Sequence, residues 1–110
     1  MEKTIKQSFF GAVIRAPIVE EIVFRFIPFL IYQEIGQFAL VGIVSALIYA
    51  LIHLRFGRTF VVYAFIFGIF AWFVMVNFGL IFAILAHSLL NIIDWKFGIR
   101  RILTKGKYTL

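Results

Sequence analysis

Thr59-Phe60-Val61-Val62-Tyr63-Ala64-Phe65-Ile66-Phe67-Gly68-Ile69-Phe70-Ala71-Trp72-Phe73-Val74-Met75-Val76-Asn77 carries no charged side chain over its whole length. A run of about 18 or more such residues is long enough, as a helix, to cross the hydrocarbon core of a bilayer. Working outward, three further apolar segments occupy roughly residues 8 to 33, 38 to 54 and 79 to 94, so that little of the chain lies outside them. Of the 110 residues, 64% are hydrophobic and 15% charged. Soluble domains hold far more polar surface than that. The composition predicts an all-α integral membrane bundle of about four transmembrane helices, folded as one domain over residues 1–110.

The breaks between segments are Gln33-Glu34-Ile35-Gly36-Gln37, Arg55-Phe56-Gly57-Arg58 and Asn77-Phe78-Gly79, followed by a basic tail over 95–110 with Lys96, Arg100, Arg101, Lys105 and Lys107. Lys and Arg gather at the N-terminus (Lys3, Lys6), in the second break and in the tail, while the first and third breaks have none. That alternation predicts a multi-pass protein with both termini cytoplasmic. Trp95 is placed as an interfacial anchor, and the short third break predicts a tight hairpin of the last two helices. Arg15 interrupts the first apolar stretch and no small-residue cleavage site follows, so the N-terminus is expected to be retained rather than removed as a signal.

With no cysteine in the chain, disulfides, thiolate catalysis and cysteine metal sites are excluded. The net charge of +6 sits beside apolar runs rather than on an interleaved basic and aromatic face, which points to anionic lipid headgroups and away from nucleic acid. In the second segment Gly42, Ala46 and Ala50 recur every four residues, as do Gly79, Ala83, His87 and Asn91 in the fourth. Small residues at that spacing let helices approach closely in lipid, and these two faces are expected to meet. The aromatic third segment is expected to serve as packing and lipid-facing material.

Ala16-Pro17-Ile18-Val19-Glu20-Glu21-Ile22-Val23-Phe24-Arg25 puts three charges inside an apolar segment. Each costs about 2.5–3.5 kcal/mol at a helix centre on an insertion scale, so such groups pair or face a wet cavity. Glu21 and Arg25, four apart, share a helix face and can form a structural ion pair. Glu20 points about 100° away and lacks that partner. Pro17 and Pro28 each remove a backbone N–H, predicting a kinked first helix around a hydrated pocket. His53 ends the second segment, and His87 and Asn91 share a face in the fourth. A carboxylate, two imidazoles and a carboxamide on three helices can activate water and stabilise an oxyanion. Glu20, His53 and His87 also match the donor types of a zinc site, although no H-E-x-x-H pattern is present, so the cofactor is open between none and a divalent metal such as zinc.

These residues resemble a family. Glu20-Glu21-Ile22-Val23-Phe24-Arg25 is similar to the EExxxR motif of the CAAX protease and bacteriocin-processing family of intramembrane endopeptidases, also called the Abi family. Tyr49 to His53 resembles its FxxxH motif, with Tyr in place of Phe, and His87 to Asn91 its HxxxN motif. The resemblance spans residues 20 to 91, in the family's order, and is to its minimal core, since members usually carry further helices ahead of EExxxR. It implies that Glu20 and His53 activate a water for attack on a peptide bond, that His87 and Asn91 hold the oxyanion, and that Glu21 and Arg25 are architectural. The implied substrate is a peptide or lipidated protein. The alternative is a non-catalytic small subunit of a larger membrane complex, or an immunity protein, that retains the protease-like core. A homo-oligomer is a further possible assembly.

Overall fold

The two prolines shape the first segment. In the computed structural model, which describes residues 5–109, the chain from residue 11 to 35 is helical throughout, but two of its turns are wide. In Gly11–Arg15 the turn is closed by the Ala16 N–H donating to the Gly11 carbonyl, and in Ile22–Phe26 by the Ile27 N–H donating to the Ile22 carbonyl, five residues back in both cases. Helix α1 (Ala16–Glu21) follows the first wide turn and α2 (Ile27–Ile35) the second. Each closing residue stands immediately before a proline. A proline ring collides with the carbonyl four residues behind it, and the extra residue in a wide turn moves that carbonyl aside. The expected kinks at Pro17 and Pro28 are thus two wide turns in an unbroken helix, which runs to Ile35 rather than 33.

Gly36 and Gln37, both with positive φ, turn the chain into α3 (Phe38–Leu51). That helix stops short of the expected residue 54, and a tight turn over Leu54–Phe56 leads to α4 (Arg58–Phe78). Gly79, with φ near 100°, makes the short hairpin to α5 (Leu80–Phe97), which extends three residues past the expected 94. Among the described residues, helices α4 and α5 are the two that are long and apolar enough to cross a membrane. The basic tail has structure of its own: α6 (Ile99–Leu103), then a strand β2 (Tyr108–Thr109) that pairs in parallel with β1 (Ile5–Lys6). The Gln7 N–H extends this pairing by donating to the Thr109 carbonyl at 2.7 Å. Both ends of the described chain therefore lie side by side. Lys3 of the N-terminal charge cluster lies outside the described residues, and Trp95 packs edge-on against Phe9 with ring centroids 5.2 Å apart.

The small stripe of α3 meets α4, not α5 as the spacing suggested. A Cβ on Gly68 would stand 3.0 Å from the Ala46 Cβ and 3.2 Å from its Cα, and a Cβ on Gly42 would strike the buried indole of Trp72. Gly68, Ala64 and Ala71 give α4 a small face of its own beneath its rows of Phe, and lipid favours whichever pair of backbones approaches most closely. The outer face of α4 presents Val62, Ile66, Phe70 and Phe73, all more than half exposed. The polar face of α5 is left for the first segment. Gly42→Ala is expected to lower the Tm of the detergent-solubilised protein, because overpacking of about 1–3 kcal/mol outweighs the roughly 1 kcal/mol that alanine gains in a helix. A raised Tm would mean that the Trp72 ring is free to move.

Candidate active site

His53 is placed by the way α3 ends. Its own N–H folds back to the Ala50 carbonyl, three residues behind, which leaves the Tyr49 carbonyl without a backbone donor. The imidazole supplies one, Nδ1–H donating to that carbonyl at 2.7 Å. With the proton fixed on Nδ1, the lone pair is on Nε2. That nitrogen lies 3.6 Å from Oε1 of Glu20, and both side chains are partly exposed, 12% and 23%. At that distance the two atoms nearly touch, and Glu20 Oε1 is itself buried, with no hydrogen-bond partner among the described residues.

Glu21, the neighbour in sequence, has a different environment. It is fully buried, and its Oε2 accepts a hydrogen bond from His87 Nδ1–H at 2.7 Å. Its Oε1 lies 3.3 Å from Arg25 Nε, an ion pair by distance, and the Arg25 guanidinium spreads over the rings of Tyr49 (4.3 Å) and Phe67 (5.6 Å). Tyr49 is thus a hub: its ring also packs against those of His53 at 4.7 Å and His87 at 6.2 Å. On α5, one turn past His87, Asn91 Nδ2 donates to the Ala12 carbonyl at 2.6 Å.

One cavity of about 450 Å³ gathers Glu20, His53, His87 and Asn91 in its lining, along with Tyr49, Phe60 and Phe67. Glu21 and Arg25 do not line it. They stand behind its wall, each at most 1% exposed. A 100° step on a helix separates the two glutamates and accounts for the difference.

The site also contains residues that the sequence did not single out. Arg15 and Arg55 line the cavity; Arg15 has no ion-pair partner among the described residues, and Arg55 stacks only on Phe56 at 4.6 Å. A further charge inside the first apolar segment was the available signal for Arg15. Arg100 reaches the lining from the tail, its Nε 3.1 Å from Oδ2 of buried Asp94, its side chain bonded to Gln7 and its guanidinium over Phe60. No three His, Cys, Asp or Glu side chains among the described residues are arranged to hold a metal ion.

No curated protein and no solved structure matches the chain. A family model described as type II CAAX prenyl endopeptidase Rce1-like matches residues 4–93, an interval that holds Glu20, Glu21, Arg25, His53, His87 and Asn91.

Proposed function

This chain belongs to the Rce1-like family of type II CAAX prenyl endopeptidases, and from that membership we propose that it hydrolyses peptide bonds within the membrane. The observation that carries the proposal is the facing of Glu20 and His53 across 3.6 Å in the wall of a cavity. A water held against both from the cavity, as the pair parts to admit it, gives one proton to the Glu20 carboxylate and lends the other O–H to the His53 Nε2 lone pair, while its oxygen attacks the scissile carbonyl carbon. The carbonyl oxygen becomes the oxyanion. A protonated His87 answers it from Nε2–H, and the buried Glu21 carboxylate on Nδ1–H stabilises that imidazolium. Glu20 then returns its proton to the leaving nitrogen as the C–N bond breaks. No step of this route is assigned to a metal, so the route predicts a rate that a chelator leaves unchanged, and loss of cleavage on chelation would point to a metal-bound water instead.

In the membrane, four helical segments cross: residues 11 to 35 with their wide turns, then α3, α4 and α5. The parallel pairing of β1 with β2 supports placing both termini on one side, and the charge pattern supports the cytoplasmic side for them. Arg15 and Arg55 give the cavity two cations suited to the terminal carboxylate of a peptide.

The test is incubation of the purified chain with a farnesylated peptide ending in Cys and three further residues, as the free acid and as the amide, followed by mass analysis. Cleavage of the acid with release of its last three residues is expected, and about tenfold slower turnover of the amide, the equivalent of one weakened charge-assisted bond. Absence of cleavage of both peptides, with co-purification in fixed ratio with a larger membrane assembly, would instead establish a non-catalytic subunit.

A further inference from the structure

One side-chain bond in the cavity wall has no part in the hydrolytic steps. Ala16 donates five residues back, to Gly11, so the next carbonyl in that register belongs to Ala12 and the next donor should be residue 17. Residue 17 is a proline and has no N–H. Ala12 is 8% exposed, and a carbonyl left unpaired in such a place costs about 1–3 kcal/mol. The Asn91 amide fills the gap from another helix, Nδ2 to the Ala12 carbonyl at 2.6 Å, and Asn91 is itself 6% exposed.

We propose that Asn91 is a positioning residue that stands in for the missing N–H of Pro17. By bonding Ala12 it holds the first wide turn against α5, and the wide turn sets the direction in which α1 departs. Glu20 lies three residues beyond Pro17 on α1, so the bond fixes where its carboxylate meets His53. The kinetic part of this inference rests on the hydrolytic reading above; the hydrogen-bond part does not. It also differs from the resemblance, which gives Asn91 to the oxyanion. The Nδ2 group carries two N–H donors and the bond to Ala12 takes one; a residue that serves only the oxyanion owes nothing to Pro17, whereas a substitute for the Pro17 N–H becomes dispensable in that role once residue 17 has an N–H of its own.

The experiment compares the full chain with Asn91→Ala, Pro17→Ala and the double variant, measuring Tm in detergent and the kinetics of peptide cleavage. Asn91→Ala is expected to lower Tm by roughly 5 °C. It is expected to lower kcat about a hundredfold with KM nearly unchanged, the effect of a reacting group misplaced by about an ångström. Pro17→Ala restores a donor for Ala12, and the double variant is expected to recover most of both losses. A double variant as slow and as labile as Asn91→Ala overturns the proposal, as does a loss of kcat without any change in Tm. Recovery of Tm without recovery of kcat overturns the positioning role. Should the unsubstituted chain itself fail to cleave, the failure belongs to the hydrolytic reading, and the Tm comparison still decides whether Asn91 replaces the proline's donor.

Discussion

Glu20→Gln is expected to end peptide cleavage, by a factor of at least about 10³ to 10⁴, while leaving a folded protein at normal yield. The factor is the upper part of what a positioned general acid–base group contributes, and here the same carboxylate takes a proton from water and later returns it, so the amide blocks both transfers. Fold should survive because Glu20 is the less committed of the two glutamates. Its side chain is 23% exposed, and its ionic contact is the 3.6 Å approach to His53. Glutamine has the same shape and carries no charge to desolvate. The measurement is product mass over a time course, alongside gel filtration to establish that the variant is monodisperse. Undiminished turnover by Glu20→Gln would sink the mechanism, since no other carboxylate among the described residues lines the cavity.

Much of this site is legible in the chain because lipid removes the usual reasons for placing a polar residue. Among the described residues, Glu20, Glu21, Arg25, His53, His87 and Asn91 lie in otherwise apolar segments, and all six gather at the cavity or behind its wall. Spacing alone separated Glu21, with a partner four residues on, from Glu20, without one. The structure keeps that division and adds His87 as the second partner of Glu21.

Other features had weak or ambiguous signals. A proline announces a missing N–H but not how the helix absorbs it, so the kinks expected at Pro17 and Pro28 could not be told from the wide turns observed. Two helices carried small residues four apart, and α4 concealed its own small face between phenylalanines. The winning contact was decided by which backbones fit, a property of three dimensions. The pairing of β1 with β2 involves two residues per strand, too few for an alternation to register. Asp94 and Arg100 read as an ordinary helix end and tail, yet they tie the tail to the cavity through a backbone bond of 2.6 Å and an ion pair of 3.1 Å.

Arg25→Ala is expected to cost the most stability of any single change here, about 3–5 kcal/mol, and with it most of the folded yield. Arg25 and Glu21 are 1% and 0% exposed, so neither is solvated by water. The three guanidinium nitrogens make no protein hydrogen bond among the described residues; the 3.3 Å contact with Glu21 and the faces of Tyr49 and Phe67 are what hold the cation. Deleting it leaves a buried carboxylate whose one remaining partner is His87, and opens a void against two aromatic rings. Net stabilities of only about 5–15 kcal/mol are usual, so such a loss removes a large part of the total. Removing both charges should do far less harm, because a buried pair exchanged for neutral groups of similar volume is often no less stable. Arg25→Met combined with Glu21→Gln is therefore expected to regain much of the yield and Tm that Arg25→Ala loses, measured as the monodisperse fraction after extraction and as unfolding temperature. Recovered yield should not bring full activity with it, since the amide that replaces the Glu21 carboxylate has no negative charge to stabilise the His87 imidazolium. Normal yield from Arg25→Ala alone would show that the pair is not architectural, and would leave the burial of Glu21 without its main physical reason.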